Sequence, residues 1–244
     1  MRGWYPVTID NNSFFCDPEH IPFWQKVNAG HWEPQTFAVL NRLLTKKSIY
    51  CDVGAWIGPT VLYAAKRCRK VYCLEPDRVA YQYLLQNIQL NSLENIFPSH
   101  LALSSENGLS MMSSPRGKRG DSMTSLIRPD GKRGQEVLCL VWQQWLELVG
   151  VPRFDIIKMD IEGGEFALLP TMQDYLVENR PKLLLSLHPH LLPETERLEE
   201  MSRLADILSF YGACYDSGGN RLKLLSLQDG QAVRSAGTYL LLPE

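Results

Sequence analysis

The sequence predicts an α/β fold, a mostly parallel β-sheet with helices on both faces and an antiparallel edge. Three observations predict it. From residue 48 to residue 210, short apolar runs alternate with segments of helical periodicity, the rhythm of strands paired in parallel through crossover helices. The first run ends in Asp52-Val-Gly54 and opens directly into a helical pattern, and the second run ends in an acid, Glu75. The tail after residue 212 carries further short apolar runs with no helix between them, which reads as a terminal hairpin with an antiparallel edge.

Residues 1–30 are irregular and aromatic-rich, with Trp4, Tyr5, Phe14, Phe15, Phe23 and Trp24 broken by Pro6, Pro18 and Pro22. That composition suits an N-terminal cap over a core, so 1–32 is read as a cap segment and 33–244 as the domain it covers. Glu33-Pro34-Gln35 starts a helix through about Leu44, with Pro in the first turn and Phe37, Leu40, Leu43 and Leu44 on one face. A strand over 48–54 and a helix over 57–68 follow. Next come a strand over 71–75, a helix over 77–91 with Asp77 as its N-cap, and a strand over 95–103. Residues 137–141 read as a short strand and 143–149 as a short helix. Then follow a strong strand over 154–161, a helix over 165–177, a strand over 182–187 and a helix over 194–210. Strands at 213–216, 222–226 and 238–242 complete the chain. The stretch 113–134 interrupts the rhythm. It holds Arg116, Lys118, Arg119, Arg128, Lys132 and Arg133 against Asp121 and Asp130, and is expected to be a basic mobile loop, either solvated or a lid over an anionic or peptide substrate.

Composition bounds the function. The 244 residues are 45% hydrophobic and 21% charged, enough apolar surface for one large folded domain. A net charge of −2 argues against a surface built for nucleic acid. No apolar run reaches the ~18–20 residues that span a bilayer, and the first ten residues do not read as a secretory signal, so no membrane partner is expected. The six cysteines form no C-x-x-C pair. Cys51, Cys73 and Cys139 fall in apolar runs that read as strands, so free buried thiols and a reducing, cytoplasmic setting are expected.

Chemistry concentrates where the strands end. Asp52-Val-Gly54-Ala55-Trp56-Ile57-Gly58 follows a strand and opens a helix, and Glu75 closes the next strand. This is the arrangement that binds a nucleotide-type cofactor at the carboxyl ends of parallel strands. Gly54 permits close backbone approach to a ligand, Gly58 permits close helix–strand packing, and Glu75 can accept both hydroxyls of a ribose. A carboxylate at Asp52 would repel a pyrophosphate but welcome an ammonium such as that of S-adenosylmethionine. The turn also lacks the full three-glycine dinucleotide pattern, which weighs against a nicotinamide oxidoreductase. On the strand over 154–161, period-two alternation puts Lys158, Asp160 and Glu162 on one side, a costly set of charges unless paired or functional. Glu165 is positioned to stabilise the N-terminus of the next helix. His188 and His190 follow the strand over 182–187. Asp160, Glu162 and His188 are therefore the candidate proton-removing groups. The same three residues suit Mg²⁺ in acid content, but His is a poor ligand for that ion and no metal is assigned.

Glu33-Pro34, Asp52-Val-Gly-Ala-x-Ile-Gly58 with Thr60, Glu75-Pro76 and Lys158-Met-Asp-Ile-Glu-Gly-Gly-Glu165 resemble the FkbM family of S-adenosylmethionine-dependent methyltransferases across residues 30 to 190. The last of these motifs is the most specific. Three departures from the family's pattern stand out. Trp56 stands where Asn is usual, Gly164 where Ala is frequent, and Ser186-Leu187 where an acid commonly precedes the His.

The resemblance implies a class I, Rossmann-like methyltransferase fold, a seven-stranded sheet with an antiparallel last strand. It implies that Asp52, Gly54 and Ala55, with Trp56 and Gly58 in the same turn, hold the methionine end of the cofactor. Glu75 would bind the ribose, Ala102 would sit by the adenine, and Glu33 would approach from the preceding helix. The implied reaction is methyl transfer to a hydroxyl of a sugar or specialised metabolite in natural product biosynthesis. The alternative is N-methylation of a side-chain amide (Asn) in a peptide precursor. A rival of another class is a non-catalytic protein-binding partner that keeps the fold.

Overall fold

The structure, a computed structural model, describes residues 3–127, 134–151 and 153–243. Its centre is an eight-stranded sheet formed by β3 (Ile49–Val53), β4 (Lys70–Leu74), β5 (Ile96–Ser99), β9 (Ile156–Met159), β10 (Lys182–Leu187), β11 (Ala213–Asp216), β12 (Arg221–Leu222) and β13 (Gly237–Leu242). Their spatial order is β12-β11-β13-β10-β9-β3-β4-β5. Strands β5, β4, β3, β9 and β10 are parallel, and β13 runs antiparallel to both β10 and β11. The sheet has eight strands where seven were expected, and β13 is its expected antiparallel member. The two-residue β12 adds an eighth, paired antiparallel to β11.

Helices cover both faces because the strands alternate. Cys51, Val53, Ile157, Met159, Leu183 and Leu185 face one core, with Trp142, Trp145, Phe154 and the helices α5 (Trp142–Val149), α6 (Glu165–Asn179) and α7 (Arg197–Ile207). Tyr50, Ile156, Leu184 and Leu240 face the other core, with α2 (Pro34–Leu43), α3 (Pro59–Ala65) and α4 (Arg78–Leu90). The same parity puts Asp52 and Lys158, opposite each other in the β3–β9 register, on the α2–α3 side.

Three expectations are corrected. The N-terminal segment is not irregular: β1 (Tyr5–Ile9) and β2 (Asn12–Cys16) form a hairpin, and α1 (Ile21–Asn28) follows it. Asp10 and Asn11 take φ of 45° and 63°, the left-handed pair that a two-residue hairpin turn needs. The run over 95–103 is two strands. After β5, whose Pro98 is tolerated at the sheet edge, the chain turns into β6 (Ala102–Leu103). Strand β6 joins β8 (Gln135–Leu140) and an unforeseen β7 (Gly108–Met112) in a small separate sheet. The expected strand over 222–226 is mostly the 3₁₀ turn Leu224–Gln228. Within the basic segment, Ser113 bridges to Ser125, and Ser114 donates to Asp121. Arg128, Asp130, Lys132 and Arg133 lie outside the described residues. All six cysteines are buried and free, and no described helix is long and apolar enough to cross a membrane.

The hairpin is tied to the sheet by a buried carboxylate. Asp17 accepts from the amides of Glu19 and His20 and from the Trp24 indole, and its backbone N–H donates to Asn87 on α4 at 2.7 Å. Asn87 donates to Asp17 and to the carbonyl of Ile57 in the loop between β3 and α3. Asp17→Ala strands these donors in the interior. It is expected to lower the unfolding free energy by about 3 kcal/mol in urea denaturation; a loss below about 1 kcal/mol would mean that water replaces the carboxylate.

Candidate active site

The loops after β3, β4, β9 and β10 converge at the carboxyl edge of the sheet. Gly54 has φ of 88°, and a Cβ there would lie 1.9 Å from the Asp160 carbonyl oxygen. The glycine is thus required first by the approach of the β3 and β9 loops, rather than by a ligand alone as expected. Gly54 and Ala55 both donate to the Leu74 carbonyl, which ties the turn to β4. Gly58 caps α3, and a Cβ on it would meet Leu84 at 2.6 Å. The close packing expected against a strand is therefore against α4.

Two cavities open over this edge and share Gly54, Trp56, Ser122, Asp160 and Glu162. One holds about 590 Å³ of empty space and is a largely apolar slot, with Glu75 at its rim and Ala102, Leu103, Met112 and Leu126 along its walls. The other, about 520 Å³, is polar: Glu33, Thr60 and Lys158 line it between the indoles of Trp32 and Trp56, and Ala55 contributes to its wall. Gly58, Asp52 and His188 line neither.

Glu75 is buried and rigidly held. Oε2 accepts from the Trp56 backbone N–H at 2.8 Å and Oε1 from the Asp77 N–H at 2.6 Å. Burial, assisted by the charges of Asp77 and Asp52, pushes its carboxyl up to about 8 against the two amide bonds.

Asp52 differs from its expected role. It is fully buried, and its Oδ2 accepts from the hydroxyls of Tyr50 at 2.9 Å and Thr60 at 2.6 Å. Its Oδ1 faces the Lys158 ammonium at 3.5 Å. The direct contact with a ligand ammonium read from the sequence is thereby taken by this chain's own donors. The acids that face the polar cavity are instead Glu33, Asp160 and Glu162. Burial disfavours the charge on Lys158, but Asp52, Asp160 at 3.7 Å and Glu33 outweigh it and raise its pKa. Glu33, at a left-handed φ of 42°, is raised chiefly by burial, an effect that Lys158 opposes.

The β9 loop carries a second charged group. Glu165 is wholly buried. Oε1 accepts from the Ile161 N–H and Oε2 from the Gly163 N–H, a fold-back over the start of α6, while Oε1 also lies 2.9 Å from His188 Nδ1. Its expected place at the helix N-terminus is found, and the grip on His188 is what the sequence did not reveal. His188 Nε2 points between Asp160 Oδ1 at 3.7 Å and Glu162 Oε2 at 3.8 Å. Burial opposes the imidazolium, yet Glu165, then Asp160 and Glu162, raise its pKa to about 9. The three carboxylates thus favour the charged imidazolium of His188. Glu162, at φ of 51°, is pushed up to about 7 by burial, with His188 opposing and Asp160, Glu165 and Asp121 adding to the rise. It is the acid that titrates near neutrality while facing both cavities. His190 lies beside His188, the rings tilted by 56° with centroids 5.9 Å apart, and lines neither cavity.

Asp160, Glu165 and His188 present atoms within 4.8 Å of one another. The set does not suit Mg²⁺: Glu165 is engaged by two amides and His188, and the imidazolium already supplies the cation among the carboxylates.

The raised pKa of His188 is a stability statement. Its contribution is fully present below the unfolded value of about 6.5 and is lost as pH rises through about 9. Urea denaturation is expected to show stability declining across this window, and His188→Gln to flatten the decline. An equal slope in the variant would overturn the assignment of His188 as a buried cation.

A family model described as the Methyltransferase FkbM domain matches residues 52–214. The chain is 33% identical over 57 residues to an uncharacterised protein of Methanocaldococcus jannaschii, covering 23% of this chain and 22% of that protein. It is 34% identical over 67 residues to tRNA (guanine(37)-N(1))-methyltransferase 1 of Vitis vinifera, covering 26% and 11%. The chain thus spans only about a fifth and a tenth of the curated relatives it matches. Among solved structures, it is similar to the methyltransferase FkbM of Methylobacillus flagellatus KT, with a TM-score of 0.51 and 18% identity, over 81% of this chain and 44% of that one, a likeness of fold. The matched segment runs from the crest loop of β3 through the charged β9 loop to β11, and the chain belongs to the FkbM methyltransferase domain family.

Proposed function

We propose that this chain is an S-adenosylmethionine-dependent methyltransferase acting on a hydroxyl group of a small molecule, such as a sugar or a specialised metabolite. The observation that carries the reading is Glu75, a buried acid fixed by two backbone amides at the end of the second parallel strand, closing an apolar slot. That donor and acceptor set suits a nucleoside, with ribose hydroxyls on the acid and the base between Ala102, Leu103, Met112 and Leu126. The adjoining polar cavity suits an amino-acid end, with Lys158 toward its carboxylate and Glu33 and Asp160 toward its ammonium. When bound, S-adenosylmethionine supplies an electrophilic methyl group on a sulfonium.

The chain's own residues supply positioning and the proton acceptor. Glu162 faces both cavities and titrates near 7, so it takes the proton of an acceptor hydroxyl at physiological pH. His188, charged and held by Glu165, stabilises the ionised form of Glu162 and keeps Asp160 and Glu162 from repelling each other apart. A base poised this way supports a hydroxyl acceptor, whose proton must leave during attack. Residues 1–32 act as a cap on the domain of 33–244, with Phe23 and His20 packed edge-on against Trp56. The six buried thiols support a cytoplasmic setting.

Calorimetry with S-adenosylhomocysteine tests this reading. Ribose hydroxyls require the ionised Glu75, so affinity is expected to rise with pH, by at most about tenfold per unit, and to level off above about 8. Glu75→Gln is expected to weaken binding on the order of a hundredfold and to remove that pH dependence. Unchanged affinity in the variant, or tight binding of NADH in place of S-adenosylhomocysteine, would sink the reading. Glu162→Gln should bind S-adenosylhomocysteine like the parent but lose methyl transfer to the acceptor that a mass-spectrometric screen identifies.

A further inference from the structure

Four residues close a ring of hydrogen bonds at the rim of the apolar slot. Glu75 accepts from the Trp56 backbone N–H at 2.8 Å and from the Asp77 N–H at 2.6 Å. Asp77 Oδ2 accepts from the Gly120 N–H at 3.0 Å. The Gly120 carbonyl accepts from the Trp56 indole Nε1–H at 3.0 Å, which completes the circuit. Three of the members belong to the crest loops of β3 and β4. Gly120 belongs to the segment 113–127, which crosses the slot and contributes Asp121, Ser122, Thr124 and Leu126 to its walls. The segment is latched again at its far end, where the Ser125 hydroxyl donates to the Glu162 carbonyl at 2.6 Å.

Trp56 therefore holds two things with one side chain and one backbone amide: the acid at the rim and the segment over the slot. The indole is kept in place by Phe23, with ring centroids 4.6 Å apart, and by His20 at 5.9 Å. Asn, the residue expected at this position from the family pattern, is too short to carry an indole-like donor over the same span or to fill the place between those rings.

We propose that Trp56 is a positioning residue that couples Glu75 to the 113–127 segment, so that seating a nucleoside on Glu75 and closing the segment over it are one event. This rests on the cofactor reading above. A ligand that adds hydrogen bonds to the already held Glu75 tightens the whole ring, and a segment that lifts must break the Gly120 bonds to Trp56 and Asp77 together.

Hydrogen–deuterium exchange and the release rate of radiolabelled S-adenosylhomocysteine test it on the full chain. In the wild type, S-adenosylhomocysteine should slow exchange across 114–127. Trp56→Phe keeps an aromatic ring against Phe23 and His20 but lacks the indole donor. It is expected to speed ligand release by about fivefold, the scale of one lost hydrogen bond, and to raise exchange across 114–127 while β3, β4 and α3 exchange as before. A purely structural role for Trp56 would raise exchange throughout those elements instead.

Should Trp56→Phe fail to fold, Gly120→Ala serves. Its Cβ meets Val79 at 2.8 Å and displaces the same carbonyl, so the same faster release and local exchange are expected. Release within about twofold of wild type in the folded variant, or no ligand effect on 114–127, would overturn the coupling. Absence of any S-adenosylhomocysteine binding by the wild type would overturn the cofactor reading. The tether itself would then stand or fall on exchange of 114–127 in the unliganded wild type and Trp56→Phe.

Discussion

The buried ion pair between Asp52 and Lys158 is the constraint on which the crest of the sheet depends. The two residues face each other in the register of β3 and β9, both enclosed, with the ammonium 3.5 Å from the carboxylate. A charge buried there alone would be strongly destabilising, and an isolated pair is seldom worth its desolvation. This pair is not isolated. Tyr50 from the same strand and Thr60 from α3 donate to Asp52, and Asp160 approaches Lys158 from the far side. The pair thereby joins two strands and a helix and aims Lys158 into the polar cavity. Because Lys158 stays charged, Glu33 and Asp160 can face the same cavity without driving it apart.

The β9 loop repeats this logic with a different cation. Glu165 folds back onto the amides of Ile161 and Gly163 and holds His188, whose other nitrogen faces Asp160 and Glu162. Asp160 is common to both groups, so the crest is a chain of alternating charge running from Asp52 through Lys158, Asp160 and His188 to Glu165. Glu162 sits beside the chain in a left-handed conformation, its carbonyl accepting from the Ser125 hydroxyl of the 113–127 segment. Its pKa near 7 follows from that placement: enough burial to raise it, and one neighbouring cation to limit the rise.

The central strands and crest loops were legible because their signals are local. An apolar run ending in Asp-Val-Gly, or in an acid followed by Pro-Asp, records both a strand end and the turn that follows it. The N-terminal hairpin was obscured because its turn, Asp10-Asn11, contains no glycine and Pro6 lies within β1. The leucines at 222, 224 and 225 matched a strand by composition, but Leu224 and Leu227 stand three apart on the face that a 3₁₀ turn lays on a core, and both pack there. In the candidate site, residue types were legible and partnerships were not. Asp52 marks a strand end in any reading of the sequence. Its engagement by Tyr50 follows from strand parity, but the arrival of Thr60 and Lys158 depends on how α3 and β9 pack. His188 reads as an ordinary imidazole until three carboxylates from the β9 loop and the start of α6 converge on it. Gly120 carries no signal at all, since its importance lies in its backbone N–H and carbonyl.

The balance of charge at the two cavities gives the proposed chemistry a direction. Glu33, Glu75, Asp121, Asp160 and Glu162 line them, and among the described residues Lys158 is the one cation that does. Such an excess of acid in a partly buried site is costly by itself, and the upward pKa shifts of Glu33, Glu75 and Glu162, each caused chiefly by burial, express that cost. A ligand with net positive charge relieves the same excess without protons. On the proposed reading, the donor molecule carries a sulfonium in addition to its amino-acid charges, and its product has lost that charge. The carboxylates therefore favour the charged donor over the spent one, and the proton that Glu162 takes from the acceptor restores neutrality as the positive charge disappears from the site. On that reading, burial that would merely destabilise a structural acid would let one cluster attract the donor, accept the proton and loosen its hold on the product.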